Sequence, residues 1–167
     1  MGSEMCIRDR TQTRAIEYWN DRLDDEVSRS NRYGRALAVG CVHLNSMPSF
    51  IEKCGEQVSF AVLGRVGEFI NTVVRANDVV ARYSEYSFVI LFPETEPEGA
   101  WVAIHKLEEA VSGQTVQTSE EELSIGFEPF VTGRITGDKA ELSTNDILQS
   151  IMDSTDAAFG LEMEAEQ

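Results

Sequence analysis

Two short apolar stretches, Asp78–Tyr83 and Tyr86–Phe92, are separated only by Ser84-Glu85. Both are rich in β-branched and aromatic residues, which fit a pleated, half-buried surface, so each reads as a strand. A gap of two residues joins them as a hairpin, expected in the middle of a sheet. Ser-Glu is a poor pair for a primed turn, which needs positive φ and favours Asn or Gly. The turn is therefore expected to be longer or differently shaped than a glycine turn. Pro93 ends the second strand.

The flanking patterns give this hairpin its sheet and its cover. Thr13–Arg32 reads as a helix, with Ile16, Trp19, Leu23 and Val27 at helical spacing and Gly34 after its end. Ala36–Leu44 is an apolar run of strand length, broken by Pro48. Val58–Val74 is a second helix, whose apolar face is Val58, Val62, Val66, Phe69, Ile70 and Val73. Glu98–Val111 is a third, with Trp101, Ile104, Leu107 and Val111 on one side. Leu123–Phe127 reads as a short strand and Gly133–Leu142 as a polar loop. Ser143 stands at the N-cap position of a last helix, Asp146–Phe159. The order is helix, strand, helix, hairpin, helix, strand, helix. That is an α/β sandwich of ferredoxin-like type, a central, largely antiparallel sheet flanked by helices.

A chain of 167 residues is one domain on length and is long enough to fold without disulfides. No run of about 18 apolar residues is present, so no membrane insertion is expected. The formal net charge of −15 sets the field against nucleic acid and anionic lipid. A small anionic ligand remains open, at a local basic cluster. Three cysteines, Cys6, Cys41 and Cys54, with no C-x-x-C, read as reduced thiols of a cytoplasmic protein. Met1–Arg10 has no apolar core of a secretory signal. Met5–Arg10 resembles translated sequencing-adapter read-through, which would put the natural N-terminus upstream, and residues 1–10 stand outside the fold expectation. The expected domain runs over residues 11–161 with its leading helix, followed by an acidic tail, 162–167.

The hairpin and its neighbours together resemble the GGDEF domain of diguanylate cyclases. Ala81-Arg82-Tyr83-Ser84-Glu85-Tyr86-Ser87-Phe88, followed by an apolar strand and Pro93, is similar to the family's ARYGGDEF signature. Leu37–Asn45 resembles its first strand, and Gly55 with Val58–Val74 its glycine-started second helix. Ser124-Ile125-Gly126 and Asp156-Ala157-Ala158-Phe159 resemble later landmarks. The resemblance covers Trp19 to Phe159 in the family's element order and implies its fold.

The resemblance also says where chemistry is expected. A diguanylate cyclase joins two GTP molecules across two domains, with a divalent metal held by carboxylates of the first strand and the hairpin. Here His43 and Asn45 stand at the first-strand positions. Ser84, Glu85, Tyr86 and Ser87 stand where the family has Gly, Gly, Asp and Glu. Ser84 and Glu85 place side chains where glycines admit the phosphates. The base-reading positions hold Ile51 and Phe60, and a phosphate-binding lysine is replaced by Glu162. No metal, cofactor or catalytic residue is expected. A Cys41/His43/His105 metal site lacks ligand spacing.

One family feature survives. Arg75-Ala76-Asn77-Asp78 is an R-x-x-D at the offset of the family's inhibitory site, which binds cyclic di-GMP. Arg75 offers a planar fork to phosphate or guanine, Asp78 an acceptor for guanine, and Lys106 a second charge at a position where Arg is common. The expectation is an inactive GGDEF-like signalling domain that binds cyclic di-GMP at Arg75, Asp78 and Lys106. The alternatives are an active cyclase with unusual ligands, Glu52 among them, or a ligand-free interaction or dimerisation module. A homodimer or a signalling partner fits either non-catalytic reading.

Overall fold

The computed structural model describes residues 15–117 and 122–165. The element order is α1 (Ile16–Tyr33), β1 (Leu37–His43), α2 (Met47–Cys54), α3 (Glu56–Val73), β2 (Val79–Ser84), β3 (Ser87–Pro93), α4 (Pro97–Ser112), β4 (Thr115–Gln117), β5 (Glu122–Ser124), β6 (Glu128–Arg134) and α5 (Thr144–Ala165). The main sheet is antiparallel in the order β2-β3-β1-β6, and β4-β5 form a separate two-stranded ribbon. Helices cover both faces, as the α/β sandwich requires. Residues 1–10, the first residues of the expected leading helix, the Glu162 side chain and the end of the acidic tail lie outside the described residues.

Two cores follow from the period of two along β1. Leu37, Val39 and Cys41 face α1 and α5, packing with Trp19, Leu23, Val27, Ile147 and Ile151. Ala38, Val42 and Leu44 face the other helices, with Val62, Val66, Ile70, Ile104 and Leu107. All seven residues of β1 are buried, because the strand is covered on both faces. Trp19, fully buried, donates its indole N–H to the Val79 carbonyl at 3.1 Å and ties α1 to the hairpin. The expected cap of the last helix is present, with Ser143 Oγ accepting the Asp146 N–H at 3.3 Å.

The structure corrects the sequence reading in four places. The hairpin lies at one side of the sheet, with β2 outermost and β3 inside. Its connecting residues are Glu85-Tyr86, one later than expected, and the register shifts between Arg82 and Ser84. Neither connecting residue takes positive φ. The extra residue in β2 supplies the local twist that a glycine turn would otherwise give. Pro48 does not simply end a strand; it sits in the first turn of α2, where its missing N–H costs nothing. The expected strand over Leu123–Phe127 contracts to β5, and β6 occupies residues expected to be irregular or loop. β6 is a half-buried edge strand, so its hydrophobic alternation is weak.

Two glycines are required by geometry. Gly55 joins α2 to α3 at φ 84°, donating to the Ile51 carbonyl at 2.9 Å and accepting the Ser59 N–H at 3.3 Å. Gly133 pairs with Ala38 at φ 153°, and a Cβ there would stand 2.1 Å from the Leu37 carbonyl oxygen.

Candidate functional site

The end of β1 carries His43, only 1% exposed and directly opposite Ser87 of β3. Its Nδ1 lies 2.9 Å from Ser87 Oγ and its Nε2 3.0 Å from Ser154 Oγ of α5. Ser154 donates its own proton to the Ile151 carbonyl at 2.9 Å. The Ser154 oxygen therefore accepts from Nε2–H, and the Ser87 hydroxyl donates to Nδ1, a neutral tautomer with both nitrogens used. Burial pushes the imidazole pKa down to about 4. The Phe159 ring stands edge-on at 6.2 Å. Cys41, two residues back on the same face, is fully buried, and burial pushes its thiol up to about 12. A cavity of about 390 Å³ opens beside the imidazole, lined by Glu128, Phe130, Asp153 and Ala157 among others.

The other positions expected around this site do not rebuild a metal centre. Asn45 is half-buried, and its N–H is turned back onto the His43 carbonyl at 2.9 Å. Ile51 is half-buried and Glu52 exposed on α2, while Phe60 on α3 is 39% exposed. At the hairpin tip, Arg82 donates from Nε to the Ser84 carbonyl at 3.2 Å and also bonds the Glu85 carbonyl. Ser87 is fully buried against His43. Among the described residues no group of three or more His, Cys, Asp or Glu is placed to hold a metal ion. His105 is exposed on α4 and stacked on Trp101 at 5.4 Å, on the opposite face of the sheet from Cys41 and His43. The residues present do not fit a magnesium site, which needs hard oxygen ligands.

The R-x-x-D segment lies between α3 and β2. The Arg75 N–H donates to Asp78 Oδ2 at 2.8 Å, and the Asp78 N–H to the Arg75 carbonyl at 3.1 Å, which closes the turn. The Arg75 guanidinium is 63% exposed, 3.4 Å from Asp78 Oδ1 and bonded to Thr95 Oγ1; the Asp78 side chain is 1% exposed. Two cavities, of about 490 and 570 Å³, adjoin this turn and share Arg22, Arg75, Ala76 and Asn77. Arg75 and Asp78 are thus brought together, whereas Lys106 is exposed on α4 and lines neither cavity. Sequence reasoning missed Arg22 and Arg29 of α1. The available signal was their spacing of seven, which puts them on one helix face.

The family model for "Diguanylate cyclase, GGDEF domain" matches residues 11–131. The chain belongs to the GGDEF family. It is 31% identical over 106 residues to the bifunctional diguanylate cyclase/cyclic di-GMP phosphodiesterase MucR of Pseudomonas aeruginosa, a match spanning 64% of this chain and 15% of that protein. Among solved structures, the GGDEF domain of FimX from Pseudomonas aeruginosa superposes with a TM-score of 0.77 at 19% identity, covering 89% of this chain and 90% of that one. The GGDEF domain of DgcB from Caulobacter crescentus, solved in complex with c-di-GMP, gives 0.74 at 19% identity, covering 93% and 88%. At such identities the structural likeness is one of fold. Among the described residues, no helix of this GGDEF chain is long and apolar enough to cross a membrane.

Proposed function

We propose that this GGDEF domain is catalytically inactive and acts in signalling by binding cyclic di-GMP at the Arg75 turn. The observation that carries the first half is His43. The family metal needs a carboxylate at the end of the first strand, and a neutral imidazole with both nitrogens bonded fills that position. Neither Ser87 opposite it nor Asn45 beyond it supplies a charge. Ile51 and Phe60 offer no hydrogen-bonding edge to guanine.

The ligand-binding half rests on Arg75, whose exposed guanidinium faces two cavities of nucleotide size. Asp78 holds the turn and keeps an acceptor at the wall, and Lys106 adds an outlying charge on α4. With no product to release, the domain passes its signal by contact, to a second copy or a signalling partner. The cytoplasm is the compartment proposed for it.

Incubation with GTP and magnesium or manganese is expected to yield no cyclic di-GMP above a protein-free control. Turnover that Glu52→Gln abolishes would overturn the inactive reading. Calorimetric titration with cyclic di-GMP is expected to show binding, and Arg75→Ala to weaken it roughly tenfold to a hundredfold, the scale of a charge-assisted hydrogen bond. Equal affinity in the variant would move the site elsewhere.

A further inference from the structure

Along α5, Ile147 and Ile151 fill the core, but the stripe beside them at helical spacing is Ser150, Ser154 and Ala157. Three small side chains leave room between α5 and the start of β6, and the cavity of about 390 Å³ beside His43 is that room. Phe130 and Ala157 give it apolar walls. Glu128 from β6 and Asp153 from α5, both exposed, stand at its rim. We propose that this cavity binds a primary organic ammonium ion with an apolar body, a ligand unlike any nucleotide.

The polar lining decides the charge of the ligand. Ser150 gives its proton to the Asp146 carbonyl and Ser154 to the Ile151 carbonyl, both at 2.9 Å, so each hydroxyl offers the cavity only its oxygen. The one N–H of His43 goes to Ser154. Asp153 accepts from Gln149 Nε2 through Oδ1 at 2.9 Å, which leaves Oδ2 to another donor. Pro129, also in the wall, has no N–H. Among the described residues that line the cavity there is no lysine or arginine. A lining of acceptors, two of them charged, in a chain of net charge −15, selects a ligand that brings donors and positive charge. An ammonium group brings three N–H donors, and the apolar walls bury the rest of the molecule. A bare metal ion lacks its ligand set, since no group of three His, Cys, Asp or Glu is placed to hold one among the described residues. The same field repels phosphate, so this cavity and the Arg75 turn take ligands of opposite charge.

The test is titration of the full chain with 2-phenylethylammonium, followed by amide chemical shifts in NMR, with circular dichroism melts to verify folding of each variant. Binding is expected with a Kd of about 1 mM or tighter, with the shifts concentrated at Phe130, Ser150 and Ala157. The neutral analogue 2-phenylethanol is expected to bind about tenfold more weakly. Glu128→Gln and Asp153→Asn are each expected to weaken the amine by about two- to fivefold, the scale of an exposed ion pair. Ala157→Leu, at an exposed helical position, is expected to fill the cavity and abolish binding. Equal affinity for the amine and the alcohol would overturn the charge selection. Undiminished binding by Ala157→Leu would overturn the cavity itself. Shifts scattered over carboxylates elsewhere, or the same shifts produced by magnesium chloride, would mean plain counter-ion association and overturn the proposal. So would the absence of any shift at about 10 mM amine. None of these outcomes bears on cyclic di-GMP at the Arg75 turn.

Discussion

His43 makes stability depend on pH in a way that a single substitution isolates. Its pKa falls from the ordinary 6.5 to about 4 in the folded chain, because burial disfavours the charged imidazolium. The unfolded chain therefore binds a proton between these values that the folded chain does not, so stability rises with pH across that window. The contribution is complete near pH 7 and is lost as pH falls. At about 1.4 kcal/mol per pH unit, the loss is about 2 kcal/mol by pH 5 and about 3 kcal/mol near pH 4. The imidazole is 1% exposed, so solvent screening takes little from this figure. Carboxylates titrate in the same range, and the comparison that removes them is wild type against His43→Gln, an uncharged side chain able to bond both Ser87 and Ser154. Urea denaturation followed by circular dichroism at pH 7.0, 6.0 and 5.0 gives both curves. The variant is expected to be less stable at pH 7 yet to lose about 2 kcal/mol less between pH 7 and 5. Parallel curves would refute the buried neutral imidazole. The other histidine, His105, is exposed on α4 and is the same in both proteins.

Gly133→Ala is expected to cost more than about 2 kcal/mol in urea unfolding, because the new Cβ would meet the Leu37 carbonyl oxygen at 2.1 Å inside the β1-β6 ladder. An unchanged midpoint would contradict the register of β6. Native protein at pH 8 treated with a thiol reagent is expected to leave Cys41 unmodified, since it is fully buried with its pKa pushed up to about 12, while the half-buried Cys54 reacts ahead of it. Peptide mapping that shows equal labelling of the two would be the contrary result.

What was legible in the sequence tracks how strongly each segment is buried. β1, β2, β3, α3 and α4 carry apolar patterns dense enough to be read directly, since they face one or both cores. β6 escaped because an edge strand, half-buried along most of its length, needs no strict alternation. α2 escaped because Pro48 signals a break and a helix start with equal force; only packing of Met47 and Phe50 into the core decides between them. At the candidate sites, residue identities were enough to show that His43, Asn45, Tyr86 and Ser87 are not carboxylates. They were not enough to show that Ser154, 111 positions away, closes the imidazole. The pairing of α1 with the Arg75 turn is likewise tertiary, and no local pattern contains it.

The two sites differ in how far their polar groups are already satisfied. A carboxylate at position 43, as deeply buried as His43, would be an uncompensated charge unless a cation sat beside it, at a cost of several kcal/mol. With Ser87 opposite and no acid in the hairpin strand, no partner charge is there to keep such a carboxylate in place. A neutral imidazole suits that setting, since it donates to one serine, accepts from another and leaves no charge buried. Arg82 closes the hairpin tip in the same sense, by spending its donors on the Ser84 and Glu85 carbonyls. At the R-x-x-D turn the balance runs the other way. Arg75 is largely exposed, Arg22 keeps a buried donor unpaired, and Arg22 and Arg29 share one carboxylate. Polar groups that are fully paired gain little from a ligand, whereas groups left short of partners gain the full value of each new bond. That difference, more than the missing GGDEF letters, is why the search for an anionic ligand belongs at the Arg75 turn.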